Sequence, residues 1–233
     1  MGSAVETQPI ALAATVVLLR DTVDGLQVLM LRRRRELRFY GGAWVFPGGR
    51  LEPEDYAPEA PQDHDLAARV SAIREVAEET GLTLPPAQLH YFARWLTPPG
   101  RSRRFDTYYF VAPAPAGDVR VDERELDAHR FEHPKAVLAA RARGDIELPP
   151  PTFVTLTSLA AFGDSRSALN ALQGRPVKQF TPKPQTTADG SVYLYEGDAG
   201  YASGDPMRAG QRHRLVVVGS QWQYLTHNGT HEV

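Results

Sequence analysis

The residues best suited to chemistry are three glutamates in the first half of the chain. Glu75, Glu78 and Glu79 stand at positions i, i+3 and i+4, directly after Arg74. On a helix this spacing places the three carboxylates within about 100° of arc. Clustered like charges are slightly unfavourable unless a cation compensates, and hard oxygen donors suit Mg²⁺ or Mn²⁺. The spacing therefore predicts a metal-binding surface; the alternative is a solvated acidic face partly neutralised by Arg74.

A glycine pair lies upstream of the glutamates. Pro47, Gly48 and Gly49 follow the apolar residues 44–46, which have the character of a short strand. Two glycines let the backbone approach a ligand or metal closely. Cleavage of a P–O–P linkage needs carboxylates that hold cations, bare backbone beside them and room for a water in line with phosphorus. The glycines therefore favour the metal-binding interpretation.

The glutamates are predicted to lie on a helix over residues 66–80. Asp63 or Asp65 can serve as its N-cap, and Gly81 can end it. A period of 100° per residue predicts an apolar stripe opposite the glutamates, and we expect that stripe to face the core. The predicted stripe consists of Leu66, Val70, Ile73, Val76 and Ala77.

The remaining patterns predict a mixed sheet with helices packed on it, an α/β class. Residues 13–19 and 26–32 form a predicted hairpin, residues 89–96 and 105–112 are predicted strands, and residues 133–142 and 152–162 are predicted helices. Residues 52–65 have the composition of a loop. From residue 175 onward Gly, Pro and Thr become frequent, with short strand candidates at 192–195 and 215–218. We therefore expect a main domain at residues 10–170 and a β-rich C-terminal extension at 171–233.

Composition excludes several classes of protein. The 233 residues are 42% hydrophobic and 23% charged, as in a globular protein, and the net charge of -2 argues against a general nucleic-acid binder. Cysteine is absent, so no thiolate can act as nucleophile or ligand. The longest apolar run, residues 10–19, is too short to span a bilayer. We expect a cytoplasmic protein with a small-molecule partner and no nucleic-acid or membrane partner.

The segment from Gly49 to Leu82 resembles the Nudix box, whose pattern is G-x5-E-x7-R-E-U-x-E-E-x-G-U with U aliphatic. The matching residues are Gly49, Arg74, Glu75, Val76, Glu78, Glu79, Gly81 and Leu82. Asp55 stands where the pattern has its first Glu, and the loop before Arg74 is 11 residues longer than the pattern. The resemblance implies an α/β/α sandwich and a Mg²⁺-dependent pyrophosphohydrolase, with Mn²⁺ as an alternative cation.

The resemblance also implies roles for individual residues. Glu75, Glu78 and Glu79 would bind the cations with the Gly48 carbonyl, and Arg74 would orient Glu75. Family members often add an acidic residue from a loop outside the box, as general base or further ligand. The best candidate for it is Glu125; its rivals are Asp122, Glu123 and Asp127.

Segments outside the box resemble the coenzyme A diphosphatase-like subfamily, whose members split coenzyme A or acyl-CoA into 3′,5′-ADP and a phosphopantetheine. They include residues 45–49, 95–98, 104–107 and 148–153. Arginines suited to bind a substrate phosphate are the run 32–35, of which Arg32, Arg34 and Arg35 are selected, together with Arg38 and Arg104. A solvated basic strand end is the alternative for the run and Arg38. ADP-ribose and NADH are alternative substrates, and a non-catalytic ligand-binding Nudix domain is a further alternative. The extension could cover the site or pair two subunits as a homodimer.

Overall fold

The structure is a computed structural model, and it describes residues 9–37 and 39–226. Arg38 therefore lies outside the described residues. The strands and helices run in the order β1 (Ile10–Thr22), β2 (Gly25–Arg33), β3 (Trp44–Val45), β4 (Gly48–Arg50), α1 (His64–Thr80), β5 (His90–Leu96), β6 (Arg104–Pro113), β7 (Leu126–Glu132), α2 (Pro134–Ala142), α3 (Pro150–Leu159), α4 (Ser165–Leu172), β8 (Lys178–Phe180), β9 (Lys183–Thr186), β10 (Ser191–Leu194), β11 (His213–Val218) and β12 (Gln221–Thr226).

The main sheet is mixed, as the sequence predicts. Its strand order is β3-β2-β1-β6-β5-β8, with β4 paired to β1 and β7 paired to β2. Strands β1 and β2 form the predicted antiparallel hairpin, whereas β1 runs parallel to β6. The long strand β1 pairs with β2 through residues 19–22 and with β4 through residues 13–15. This shared strand brings the glycines of β4 into the sheet.

Helices cover both faces of the sheet, which gives the expected sandwich. One face packs on α1 through a core that includes Val16, Leu18, Leu29, Leu31, Ala68, Ala72, Val76 and Phe110. The other face packs on α2, α3 and the C-terminal strands through a core that includes Val17, Val28, Met30, Trp44, Trp95, Tyr109, Phe153 and Leu156. Alternating residues of β1 and β2 therefore belong to different cores.

The predicted apolar stripe of α1 is wrong for three of its five members, while Val76 is buried and Ile73 packs against the core. Leu66 and Val70 are about two-fifths exposed, at 40% and 41%, and Ala77 is also exposed. The face that packs on the sheet instead carries the small residues Ala68, Ser71 and Ala72, followed by Val76 and Glu79. Small side chains let a helix lie close to a sheet. With this face on the sheet, the C-terminal end of α1, which carries the glutamates, faces β4, and the larger side chains of Leu66 and Val70 are exposed. The ends of α1 agree with the prediction.

Those ends are set by two local contacts. The carboxylate of Asp63 accepts a hydrogen bond of 2.9 Å from the Leu66 N–H, so Asp63 rather than Asp65 is the N-cap. Gly81 ends the helix with a left-handed φ of 71°, a conformation that glycine adopts without the penalty imposed by a Cβ.

The C-terminal residues build a second sheet, in the order β12-β11-β10-β9. This sheet packs on the main domain through Tyr195, Leu215 and Tyr224, which belong to the core beside α3. Strand β8 extends the main sheet by pairing with β5, and there the Phe180 ring stacks on Trp95 with centroids 3.9 Å apart. The extension is thus part of the hydrophobic core, while the division at residue 170 stays a prediction.

A buried ion pair ties the second sheet together. Arg214 on β11 donates two hydrogen bonds, of 2.7 and 2.6 Å, to the Asp198 carboxylate, and both side chains are buried. Burial raises the pKa of Asp198, but hydrogen bonds from Arg214 and from the His213 and Gly200 N–H groups outweigh it, so the pKa lies below its usual value.

We expect Asp198→Asn to lower the free energy of unfolding by about 3 kcal/mol at pH 7, because it leaves a buried guanidinium without its counter-charge. A carboxyl whose folded pKa is depressed stabilises the fold above its unfolded pKa and loses that effect as pH falls. The difference between wild type and variant should therefore shrink below about pH 4. Urea unfolding at several pH values measures it. Asp145→Asn, in an exposed pair with Arg143, is the control and should cost under about 1 kcal/mol.

Candidate active site

The two glycines of β4 lie directly against the C-terminal half of α1. The Gly48 N–H donates a hydrogen bond of 2.8 Å to Oε2 of Glu79. A Cβ on Gly49 would overlap the carboxylate of Glu75, and a Cβ on Gly48 would overlap the backbone of Ala14 and Thr15. Gly48 also has a φ of 153°, which L side chains rarely adopt. Glycine at position 49 therefore permits the approach of β4 to α1, and glycine at position 48 permits the close pairing of β4 with β1.

Arg74 organises the acidic groups around it. Its Nε and Nη2 donate to the two carboxylate oxygens of Asp55 at 2.9 and 3.0 Å, and its Nη1 donates to Glu75 at 2.9 Å and to Glu78 at 3.0 Å. Burial raises the pKa of Asp55, but hydrogen bonds from Arg74 and the Glu52 N–H hold it below its usual value. The longer loop therefore still delivers Asp55 to Arg74.

The three glutamates occupy different environments. The Glu79 residue is 8% exposed, the Glu75 side chain 14%, and the Glu78 side chain 59%. Burial raises the pKa of Glu79 to about 8; the Gly48 N–H opposes this rise, and the negative charge of Glu75 adds to it. Burial also raises the pKa of Glu75, against the neighbouring Arg74. Glu75 and Glu79 thus point toward β4, and Glu78 lies at the solvent edge.

Besides Asp55, Glu125 is an acidic residue outside α1 that comes close to this group. It precedes β7, and its carboxylate accepts a hydrogen bond of 3.2 Å from Nη2 of Arg33. The charge of Glu125 raises the pKa of Glu79, and the charge of Arg33 lowers it. Both residues are therefore electrostatic neighbours of Glu79.

The rivals of Glu125 have other contacts. Asp127 pairs with Arg32 at 2.5 Å, and Asp122 accepts a hydrogen bond from the Arg124 N–H within its own turn. Glu123 accepts from Arg34 through its backbone carbonyl. Contacts within the described residues thus favour Glu125 among the four, and its catalytic role stays a prediction.

The arginines predicted to bind substrate are spread over the surface. Arg32 faces away from α1 and lies over the Trp44 ring, 5.8 Å from its centroid. Arg34 pairs with Glu36 at 3.8 Å, Arg35 is exposed, and Arg104 donates to the Thr97 carbonyl at 3.2 Å. Across residues 9–37 and 39–226, no described hydrogen bond or ion pair joins these four to the glutamates of α1. Their substrate-binding role stays a prediction.

Arg33 belongs to the predicted run of arginines 32–35, and it is the member of that run that lies near the glutamates. In β2, Leu29 and Leu31 face α1, so strand alternation places Arg33 on that face and Arg32 on the other. The alternation of apolar and polar residues along β2 contained the signal that separates Arg33 from its neighbours. It was obscured because four arginines stand in one unbroken run.

The donor set fits a hard divalent cation. The carboxylates of Glu75 and Glu79 lie against the Gly48–Gly49 backbone, and Glu78 lies beside Arg74. Arg74 is largely occupied by Asp55, and among the described residues the Gly48 N–H is the hydrogen-bond donor to the buried Glu79. Oxygen ligands with excess negative charge are what Mg²⁺ and Mn²⁺ prefer. In the described part of the chain, no three acidic or histidine side chains already converge on one metal position.

Comparison with known proteins identifies the family of the chain. The family model described as the NUDIX domain matches residues 9–150. The chain belongs to the Nudix family and is a hydrolase that acts on diphosphate bonds.

Solved structures and curated proteins give the same family. A NUDIX hydrolase from Alicyclobacillus acidocaldarius superimposes with a TM-score of 0.64 at 27% identity, over 72% of this chain and 99% of that protein. The human acyl-coenzyme A diphosphatase NUDT19 is 26% identical, over 76% of this chain and 73% of its own length. The Xenopus laevis protein of the same name is 22% identical, over 90% and 80% respectively. The chain is thus similar to coenzyme A diphosphatases. No helix among the described residues meets the length and apolarity needed to cross a membrane.

We expect Gly48→Ala and Gly49→Ala to fail in different ways. In Gly49→Ala the Cβ meets the end of a flexible side chain, so the fold persists while the Glu75 carboxylate is displaced. A displacement of about 1 Å can cost about 100-fold in turnover. In Gly48→Ala the Cβ meets backbone, so thermal stability itself falls. Thermal unfolding and diphosphate hydrolysis separate the two effects; a destabilised Gly49→Ala with normal specific activity would contradict the geometry.

Proposed function

We propose that the protein uses Mg²⁺ to cleave the diphosphate of coenzyme A or an acyl-CoA, giving 3′,5′-ADP and a phosphopantetheine or its acyl derivative. The observation that carries this proposal is the buried Glu79 carboxylate, held on the Gly48 N–H beside Glu75 and Glu125. The acyl-coenzyme A diphosphatases among the relatives support the choice of substrate.

In this proposal Glu75, Glu78 and Glu79 hold the cation together with the Gly48 carbonyl. A bound divalent cation neutralises the diphosphate and lowers the pKa of the attacking water. Asp55 keeps Arg74 in place beside Glu75. Glu125, which precedes β7 and accepts a hydrogen bond from Arg33, would accept a proton from the water.

The substrate is tested by incubating the purified protein with coenzyme A, palmitoyl-CoA, dephospho-coenzyme A, ADP-ribose and NADH, with Mg²⁺ or with EDTA. We expect the two 3′-phosphorylated compounds to be cleaved fastest, and only with Mg²⁺. Mass spectrometry in ¹⁸O-water identifies the products and the phosphorus that is attacked. Preferential cleavage of ADP-ribose or NADH would replace coenzyme A as the substrate, and no cleavage of any compound would contradict the proposal.

We expect Glu79→Gln to reduce turnover by at least about 1,000-fold, because the amide cannot supply the charge that holds the cation. The fold should persist, because the amide oxygen can still accept from the Gly48 N–H. Mn²⁺ binding, followed by electron paramagnetic resonance, should weaken in parallel. Glu54→Gln, in the exposed part of the turn Pro53–Asp55, is the matched control and should retain both properties. Near-normal turnover in Glu79→Gln would refute its role as a ligand.

A further inference from the structure

Two adjacent arginines at the end of β2 lie on opposite faces of the main sheet. The Arg32 side chain lies over Trp44 and pairs with Asp127, whereas Arg33 follows Leu31 onto the face covered by α1. The pairing of β2 with β7 shifts register between these two arginines, which leaves Asp127 as an extra residue in β7. Such bulges re-aim side chains and are frequent beside active sites.

The backbone holds Arg33 rigidly in this position. Its N–H donates to the Ala43 carbonyl at 3.0 Å, and its own carbonyl accepts from the Gly42 N–H at 2.9 Å. The next residue links the segment that precedes β7 to the end of β2, because the Arg34 N–H donates to the Glu125 carbonyl at 2.8 Å. Arg33 and Glu125 are therefore fixed relative to each other through the main chain as well as through their side chains.

The guanidinium of Arg33 has donor capacity that the protein does not use. Its Nη2 donates to Glu125, its charge acts on Glu79, and only 21% of the side chain is exposed. Its Nε is buried, and within the described residues it has no hydrogen-bond partner. A buried donor without an acceptor costs about 1–3 kcal/mol of folding free energy. A hydrogen-bond donor left without a partner beside a charged site therefore points to an acceptor atom on a bound ligand.

We propose that Arg33 is a phosphate ligand of the active site, which binds a non-bridging oxygen of the substrate diphosphate through its free donors while Nη2 keeps Glu125 in place. This inference rests on the proposed function and names a residue that the resemblance to the family does not supply. A planar guanidinium suits the task because its fork can engage a carboxylate and a phosphate oxygen at the same time. The alternative is that Arg33 serves only as a positive charge that neutralises Glu79 and Glu125.

The two explanations differ in what lysine can replace. Lys retains the charge but has no fork, so Arg33→Lys should preserve thermal stability and Mn²⁺ affinity while kcat/KM falls about 100-fold. Arg33→Ala should lose a similar or larger factor in kcat/KM. Millimolar guanidinium ion, added to Arg33→Ala, should restore part of the lost rate because it can occupy the vacated space. Arg143→Ala, which removes an exposed arginine paired with Asp145 at the end of α2, is the control and should show neither the loss nor the rescue.

A binding measurement keeps the proposal testable apart from turnover. Calorimetric titration with α,β-methylene-ADP and Mg²⁺ uses a diphosphate that water cannot cleave at the methylene bridge. We expect affinity to fall at least about tenfold in both Arg33→Lys and Arg33→Ala, and to stay within about twofold in Arg143→Ala. Wild-type kcat/KM in Arg33→Lys, or unchanged binding in both Arg33 variants, would overturn the role of Arg33. A wild-type protein that binds the analogue through Arg33 but cleaves no substrate would instead contradict the proposed function.

Discussion

The close approach of β4 to α1 is the constraint on which the rest of the site depends. Glycines at positions 48 and 49 let the backbone touch the carboxylates of Glu75 and Glu79. The approach also requires small residues on the helix, and Ala68, Ser71 and Ala72 supply them one to two turns earlier. A larger side chain on either surface would separate strand and helix, and the carboxylates would lose their contact with bare backbone.

The same approach creates an excess of negative charge in a partly buried place. Two arginines limit that excess from opposite sides: Arg74 is bound to Asp55 and bridges the glutamates, and Arg33 holds Glu125. Neither makes a hydrogen bond to Glu79 in the described residues, and the pKa of Glu79 is raised chiefly by burial, with a further contribution from the charges of Glu75 and Glu125. The mutual repulsion of these carboxylates is unfavourable in the empty site. It is compensated when a divalent cation binds together with a diphosphate.

The C-terminal extension contributes to the fold as well as to the surface. Phe180, Tyr195 and Leu215 complete the core on the sheet face opposite α1, and the Asp198–Arg214 pair holds the second sheet together. Removal of these residues would expose aromatic side chains of the main domain, Trp95 among them. The extension therefore stabilises the sheet that carries β4, although the glutamates lie on the other face.

The sequence by itself determined the family, the helix that carries the glutamates with both its ends, and the mixed sheet. These features depend on local spacing, because they follow from a motif, an N-cap residue, a glycine that ends the helix and runs of apolar residues. Only the tertiary structure decided which side of α1 faces the sheet, since small alanines and buried glutamates reverse the usual rule that the most apolar stripe is buried. It also decided that Asp55 reaches Arg74 across a longer loop, and that Arg33, not Arg32, faces the site. Those outcomes depend on distant segments and on strand register, which no local pattern contains.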